Sequence, residues 1–169
     1  NPEGYRFVEF PLYNIKQAFP FQYIGIFTLE QWGRIISILA SVVSCIFIYL
    51  LVKRHANGKA GLFASFFLGF IPFGIFYGRA ILPDMSMVAS SLGGIYFFDL
   101  WIEKFKVQSS RPKADRPLDE NIKSWLPFVL SIIFTTAALL LKPYALFFTL
   151  PMVVLAYQRF GIDFLGKWQ

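Results

Sequence analysis

Ile35-Ile36-Ser37-Ile38-Leu39-Ala40-Ser41-Val42-Val43-Ser44-Cys45-Ile46-Phe47-Ile48-Tyr49-Leu50-Leu51-Val52 is a run without a charge, closed by Lys53-Arg54. A helix needs about 20 residues to cross the hydrocarbon core of a bilayer, with a range of about 17–25. The run fits, and it is not alone. Residues 60–78 are uncharged between Lys59 and Arg79. A third block begins after Asp84 and reaches about Ile102, with Asp99 near its end. Residues 125–141 form a fourth, closed by Lys142, and a shorter fifth runs from Pro143 to Gln158. In lipid each block must satisfy its own backbone hydrogen bonds, so helices are the expected form. None alternates as the strands of a membrane barrel would. The sequence therefore predicts an all-α membrane protein, a bundle of about five transmembrane helices.

Composition agrees. The chain has 169 residues, 56% hydrophobic, 20% aromatic and only 15% charged, with 21 Phe. A soluble domain carries about a quarter charged residues. The net charge of +6 does not point to nucleic acid, because the basic residues fall between apolar blocks, where topology explains them. Lys53, Arg54, His55 and Lys59 make one basic connection. Lys104, Lys106, Arg111, Lys113, Arg116 and Lys123 make another. By the positive-inside rule both are cytoplasmic, and His55 reads as a solvated side chain. The opposite side then holds residues 1–32, the connection 79–84 and the Lys142-Pro143 turn. Two regions result: an extracytoplasmic, interfacial segment over 1–32, and a transmembrane region over 33–169 with a mobile polar linker at 103–124. The chain is expected to be a piece of a longer multi-pass protein.

Local signals refine this. Thr28-Leu29-Glu30-Gln31 fits a capping box and starts the first span near residue 29. Tyr5, Phe7, Phe10, Tyr13, Phe19, Phe21, Tyr23 and Phe27 suit headgroup depth. Pro72 and Pro151 are expected to kink their helices. Ala89, Ser90, Gly93 and Gly94 predict a close helix–helix seam. Cys45 reads as a small buried apolar residue, and Asp99 as a polar residue near a helix end.

Four ionisable groups gather on the non-cytoplasmic face: Glu9, Arg79, Asp84 and Lys142. Such groups at membrane depth are candidates for function, though each has a plainer role. Arg79 can snorkel to the interface. Asp84 can cap the helix it opens, or pair with Arg79. Lys142 can anchor at the interface, and Glu9 alone reads as a surface glutamate. Together, a guanidinium and an ammonium suit an anionic phosphate, and a nearby carboxylate can position a hydroxyl or hold a metal. No metal-ligand cluster, glycine-rich phosphate loop or nucleophile elbow is visible in the sequence.

Three stretches carry a resemblance: Glu9-Phe10-Pro11-Leu12-Tyr13, Tyr77-Gly78-Arg79-Ala80-Ile81-Leu82-Pro83-Asp84, and Leu141-Lys142-Pro143-Tyr144. In this order the chain resembles the GT-C class of membrane glycosyltransferases, in the group of the protein O-mannosyltransferases and the lipid A aminoarabinose transferase. The resemblance implies inverting transfer of a sugar from a polyprenyl-phosphate donor to a lipid, protein or glycan acceptor. It places the reaction on the outer side of a plasma (inner) membrane, with an endoplasmic-reticulum membrane as the other setting. It assigns Arg79, Asp84 and Lys142 to the donor phosphate or to shaping the site, and Glu9 and Tyr13 to the lining of the loop. The family's catalytic Asp is expected upstream of residue 1, so no residue here is assigned as the base. A divalent metal is left open. Two other classes remain: a transporter or flippase segment for a lipid or anionic solute, and a structural subunit of a membrane complex.

Overall fold

The structure, a computed structural model, describes residues 12–109 and 118–160. Among them lie seven α-helices: α1 (Leu12–Ile24), α2 (Leu29–His55), α3 (Gly58–Phe70), α4 (Pro72–Arg79), α5 (Asp84–Ser109), α6 (Leu118–Leu141) and α7 (Leu150–Phe160). A 3-10 helix, Pro143–Thr149, joins α6 to α7. Among the described residues there is no strand.

The first span begins where the capping box puts it. The Gln31 N–H donates to the Thr28 hydroxyl and the Thr28 N–H to the Gln31 side chain. This satisfies donors that an open helix end leaves orphaned. Ahead of it, residues expected as an interfacial loop form α1, which crosses the start of α2. A side chain at Gly33 would collide with the Gln17 amide, so the glycine sets how closely the two helices approach.

The block 60–78 is broken. α3 ends at Phe70 and α4 starts at Pro72, with a bend of 60° between them. Proline pushes the residue before it out of the helical region, and Ile71 is extended at φ −62° and ψ 139°. Pro151 behaves differently from expectation. It lies in the first turn of α7, where its missing N–H costs nothing and its ring continues the helix. The fifth block is thus a 3-10 helix followed by an eleven-residue helix, rather than one kinked span.

By length and composition, Leu29–His55 and Asp84–Lys106 can each cross a membrane, and the bent α3–α4 pair makes a third. Trp125–Leu141 is apolar but shorter. The all-helical membrane architecture stands, with two or three full spans among the described residues in place of about five. Of the membrane-length part of α5, 67% is buried inside the protein, against 11% for α2. α5 is therefore the central helix, and it packs most extensively on α6. Small residues make that seam. A Cβ on Gly93 would stand 2.7 Å from the Phe134 ring, and one on Gly94 2.6 Å from the Thr135 hydroxyl. Ser131 donates to the Gly94 carbonyl at 2.9 Å. Outward faces are apolar: Ile38, Leu39 and Val42 on α2 and Phe63, Phe66, Phe67 and Phe70 on α3 are exposed. An apolar surface this continuous belongs against lipid or another protein. Cys45 is only partly buried.

Two readings of single residues need correction. Asp99 is not a polar residue at a helix end, because α5 runs on to Ser109. Its side chain is fully buried, with 0% exposure. Arg54 Nε donates to its Oδ2 at 2.8 Å, His55 Nε2 lies 3.3 Å from the same oxygen, and Arg159 Nη2 stands 4.0 Å from Oδ1. Arg54 also pairs with Glu103. His55 therefore closes α2 beside a buried carboxylate rather than lying in a loop, and its side chain stays exposed. The stretch 103–124 is helical at both ends. α5 carries Glu103 onward to meet Arg54, and α6 has begun by Leu118. Residues 110–117 lie outside the described residues.

Candidate functional site

The opposite end of α5 carries the site. Asp84 is the first residue of the helix, and the first turn closes through the Met87 N–H onto the Pro83 carbonyl at 2.9 Å. Pro83 thus holds the capping position. The Asp84 carboxylate gains from the positive end of the helix dipole and points its bonds elsewhere. Its Oδ1 accepts from Lys142 Nζ at 2.7 Å and from the Tyr144 hydroxyl at 2.8 Å. The partners are 58 and 60 residues away in sequence.

Lys142 is placed by the end of α6. Its N–H closes the last turn onto the Ala138 carbonyl at 3.0 Å. Its backbone is then extended, at φ −151° and ψ 124°, and Pro143 opens the 3-10 helix. Proline presets that start, so Lys142 and Tyr144 leave one short, stiff segment toward Asp84. The Lys142 ammonium also lies 5.3 Å from the centre of the Tyr144 ring, within cation–π range. Below the site the core converges: Tyr13 from α1, Met87 from α5, Ala138 and Leu141 from α6, and Ala145 from the 3-10 helix.

The pair is sheltered, with 14% of the Lys142 side chain and 15% of the Asp84 side chain exposed. Burial by itself pushes the Lys142 ammonium down. Hydrogen bonds to Asp84 and Tyr144, and the charge of Asp84, outweigh it and hold its pKa above the ordinary lysine value. Burial, then the bond to Asp84, raise the Tyr144 phenol above its ordinary value. The cluster at neutral pH is an ammonium and a neutral phenol, both donating to one carboxylate oxygen.

The other candidates fall as follows. Arg79 ends α4, is exposed, and makes no ion pair or hydrogen bond with a described residue. The pairing of Arg79 with Asp84 across the short turn does not occur; the carboxylate accepts from Lys142 and Tyr144 instead. Tyr13 lies on α1, not on a loop, and is buried, with its hydroxyl 3.1 Å from the Ser37 hydroxyl and 3.4 Å from the Gly33 carbonyl. It belongs to the floor beneath the site. Glu9 lies outside the described residues. No group of three or more His, Cys, Asp or Glu side chains fit to hold a metal occurs among the described residues. No step is therefore derived through a divalent cation. Tyr144 is the residue the sequence did not assign. Its signal was its place at the end of the stretch Leu141-Lys142-Pro143-Tyr144.

A sheltered ammonium, carboxylate and phenol at one end of an all-helical membrane bundle suit a GT-C type membrane glycosyltransferase. The chain belongs to the dolichyl-phosphate-mannose-protein mannosyltransferase family, whose family model matches residues 22–110, more than half of the chain. Arg79 and Asp84 lie inside the matched stretch, and Tyr13, Lys142 and Tyr144 outside it. No curated protein and no solved structure gives a significant match. Membership makes this a membrane glycosyltransferase at the general level.

Proposed function

We propose that the protein transfers a sugar, mannose by its family, from a polyprenyl-phosphate donor to an acceptor on the non-cytoplasmic side of a plasma (inner) membrane that it crosses several times. The observation that carries this reading is the Lys142 ammonium, held charged beside Asp84 at the end of the central helix. In the transfer the acceptor hydroxyl attacks the anomeric carbon and its proton passes to a general base. The bond from that carbon to the phosphate oxygen breaks, and the electron pair leaves with the polyprenyl phosphate. That leaving group gains a negative charge, and preorganised cations stabilise such developing charge. Lys142 meets the phosphate, Arg79 lends a second cation from its exposed position, and Asp84 holds Lys142 in the site until the donor arrives. No described residue is assigned as that base. Sidedness is supported by charge. The basic ends of α2 and α5 fit the cytoplasm, and Asp84 lies about 22 Å from Asp99 at 1.5 Å per residue of helix.

Membranes containing the full-chain protein, given radiolabelled dolichyl-phosphate mannose, are expected to release its mannose. Asp84→Ala and Arg79→Ala should lower that release at equal expression, and unaltered turnover in both would sink the site assignment. The broken α3–α4 span favours one other reading, since transporters build sites at interrupted helices. Movement of the intact lipid with no sugar transferred would select it.

A further inference from the structure

We propose that Tyr144 is a positioning residue for sugar transfer: its hydroxyl holds Asp84 in place when Lys142 turns from Asp84 to the donor phosphate. The inference rests on the reading of Lys142 as a phosphate-binding group. Both donors converge on the same oxygen, at 2.7 Å from Lys142 and 2.8 Å from Tyr144. A phosphate that engages Lys142 draws the ammonium away from Asp84. A carboxylate with 15% of its side chain exposed that loses its only donor is left under-solvated, at a cost. That penalty opposes donor binding. With Tyr144 in place, the carboxylate keeps one donor throughout, and Lys142 exchanges one anion for another.

Two features set this apart from a packing role. Tyr144 is 47% exposed, and its hydroxyl is engaged by Asp84. Pro143 stiffens the link between Lys142 and Tyr144, so the hydroxyl stays aimed at Asp84 while the longer, flexible lysine side chain swings.

The test is a two-by-two set of full-chain proteins in membranes: wild type, Tyr144→Phe, Lys142→Gln and the double variant. Release of mannose is followed as dolichyl-phosphate mannose is varied. KM does not depend on how much of the enzyme is folded, so a partial loss of folding leaves the test intact. Tyr144→Phe should raise the KM for the donor about three- to tenfold with kcat within about twofold, as fits the loss of one hydrogen bond to a charged acceptor. Lys142→Gln should raise it further, and Tyr144→Phe should add nothing in that background, since no exchange remains to be eased. An unchanged KM in Tyr144→Phe beside a raised one in Lys142→Gln overturns the role of Tyr144 and leaves the phosphate reading standing. An unchanged KM in Lys142→Gln removes the phosphate reading and this inference with it. An equal factor in both backgrounds means that Tyr144 touches the donor itself, and overturns the positioning role.

Discussion

Lys142 shows how a single residue takes its chemistry from its neighbours. An isolated lysine at a membrane interface is an anchor. Here its nitrogen sits 2.7 Å from a sheltered carboxylate oxygen, and its pKa stands above the ordinary value of about 10.4. The sign of the linked stability follows. A folded pKa above the unfolded one means that the contribution is complete below about pH 10. It is lost as pH rises through the folded value. The difference in melting temperature between the wild type and Lys142→Met should therefore be constant from pH 6 to about pH 9, and shrink only above about pH 10. A difference that fades between pH 7 and 9 would mean that the ammonium is not held in this way. The residue types of the site were legible in the sequence, because charged groups at the ends of apolar blocks are conspicuous. Their pairing was not. Arg79 is five positions from Asp84 and Lys142 is 58, and only the return of α6 beside α5 decides between them.

At the scale of elements, local rules read well and long-range contacts did not. The capping box at Thr28, the break at Pro72 and the glycine seam at Gly93 and Gly94 each follow from a few adjacent residues. The reach of α5 past Ile102 does not, because Glu103 is held by Arg54 from another helix. Nor does the role of Asp99, which joins α5 to the ends of α2 and α7 from a fully buried position. Removing one partner of a buried pair leaves an uncompensated charge, at a cost of about 3–5 kcal/mol. Arg54→Ala, which strands the buried Asp99 carboxylate, should lower stability by that order, measured by thermal unfolding in detergent. Arg159→Ala should cost less than about 1 kcal/mol, since its guanidinium is 4.0 Å away and 37% exposed. Equal losses in the two variants would show that α7, and not Arg54, carries the clasp.

The whole molecule is a central helix with a carboxylate toward each end of the bundle, Asp84 at the helix's first residue and Asp99 beside the end of α2. Asp99 is surrounded by Arg54, His55 and Arg159, and Asp84 by Lys142 and Tyr144. This arrangement gives the two ends different tasks: one fastens helices, the other presents a sheltered cation. It also predicts sidedness. With Cys45 replaced by Ser, single cysteines at Lys59 and at the exposed Ile81 should react with a membrane-impermeant thiol reagent from opposite sides, Lys59 from the cytoplasm. Labelling of both from one side would overturn the topology.

Binding of the donor tests the central claim most directly. The dissociation constant of dolichyl-phosphate mannose for the purified full-chain protein should rise about tenfold or more in Lys142→Gln, the loss of a charge-assisted contact to phosphate. A constant equal to that of the wild type would contradict the account, because the cation at the end of α5 would then have no part in holding the donor.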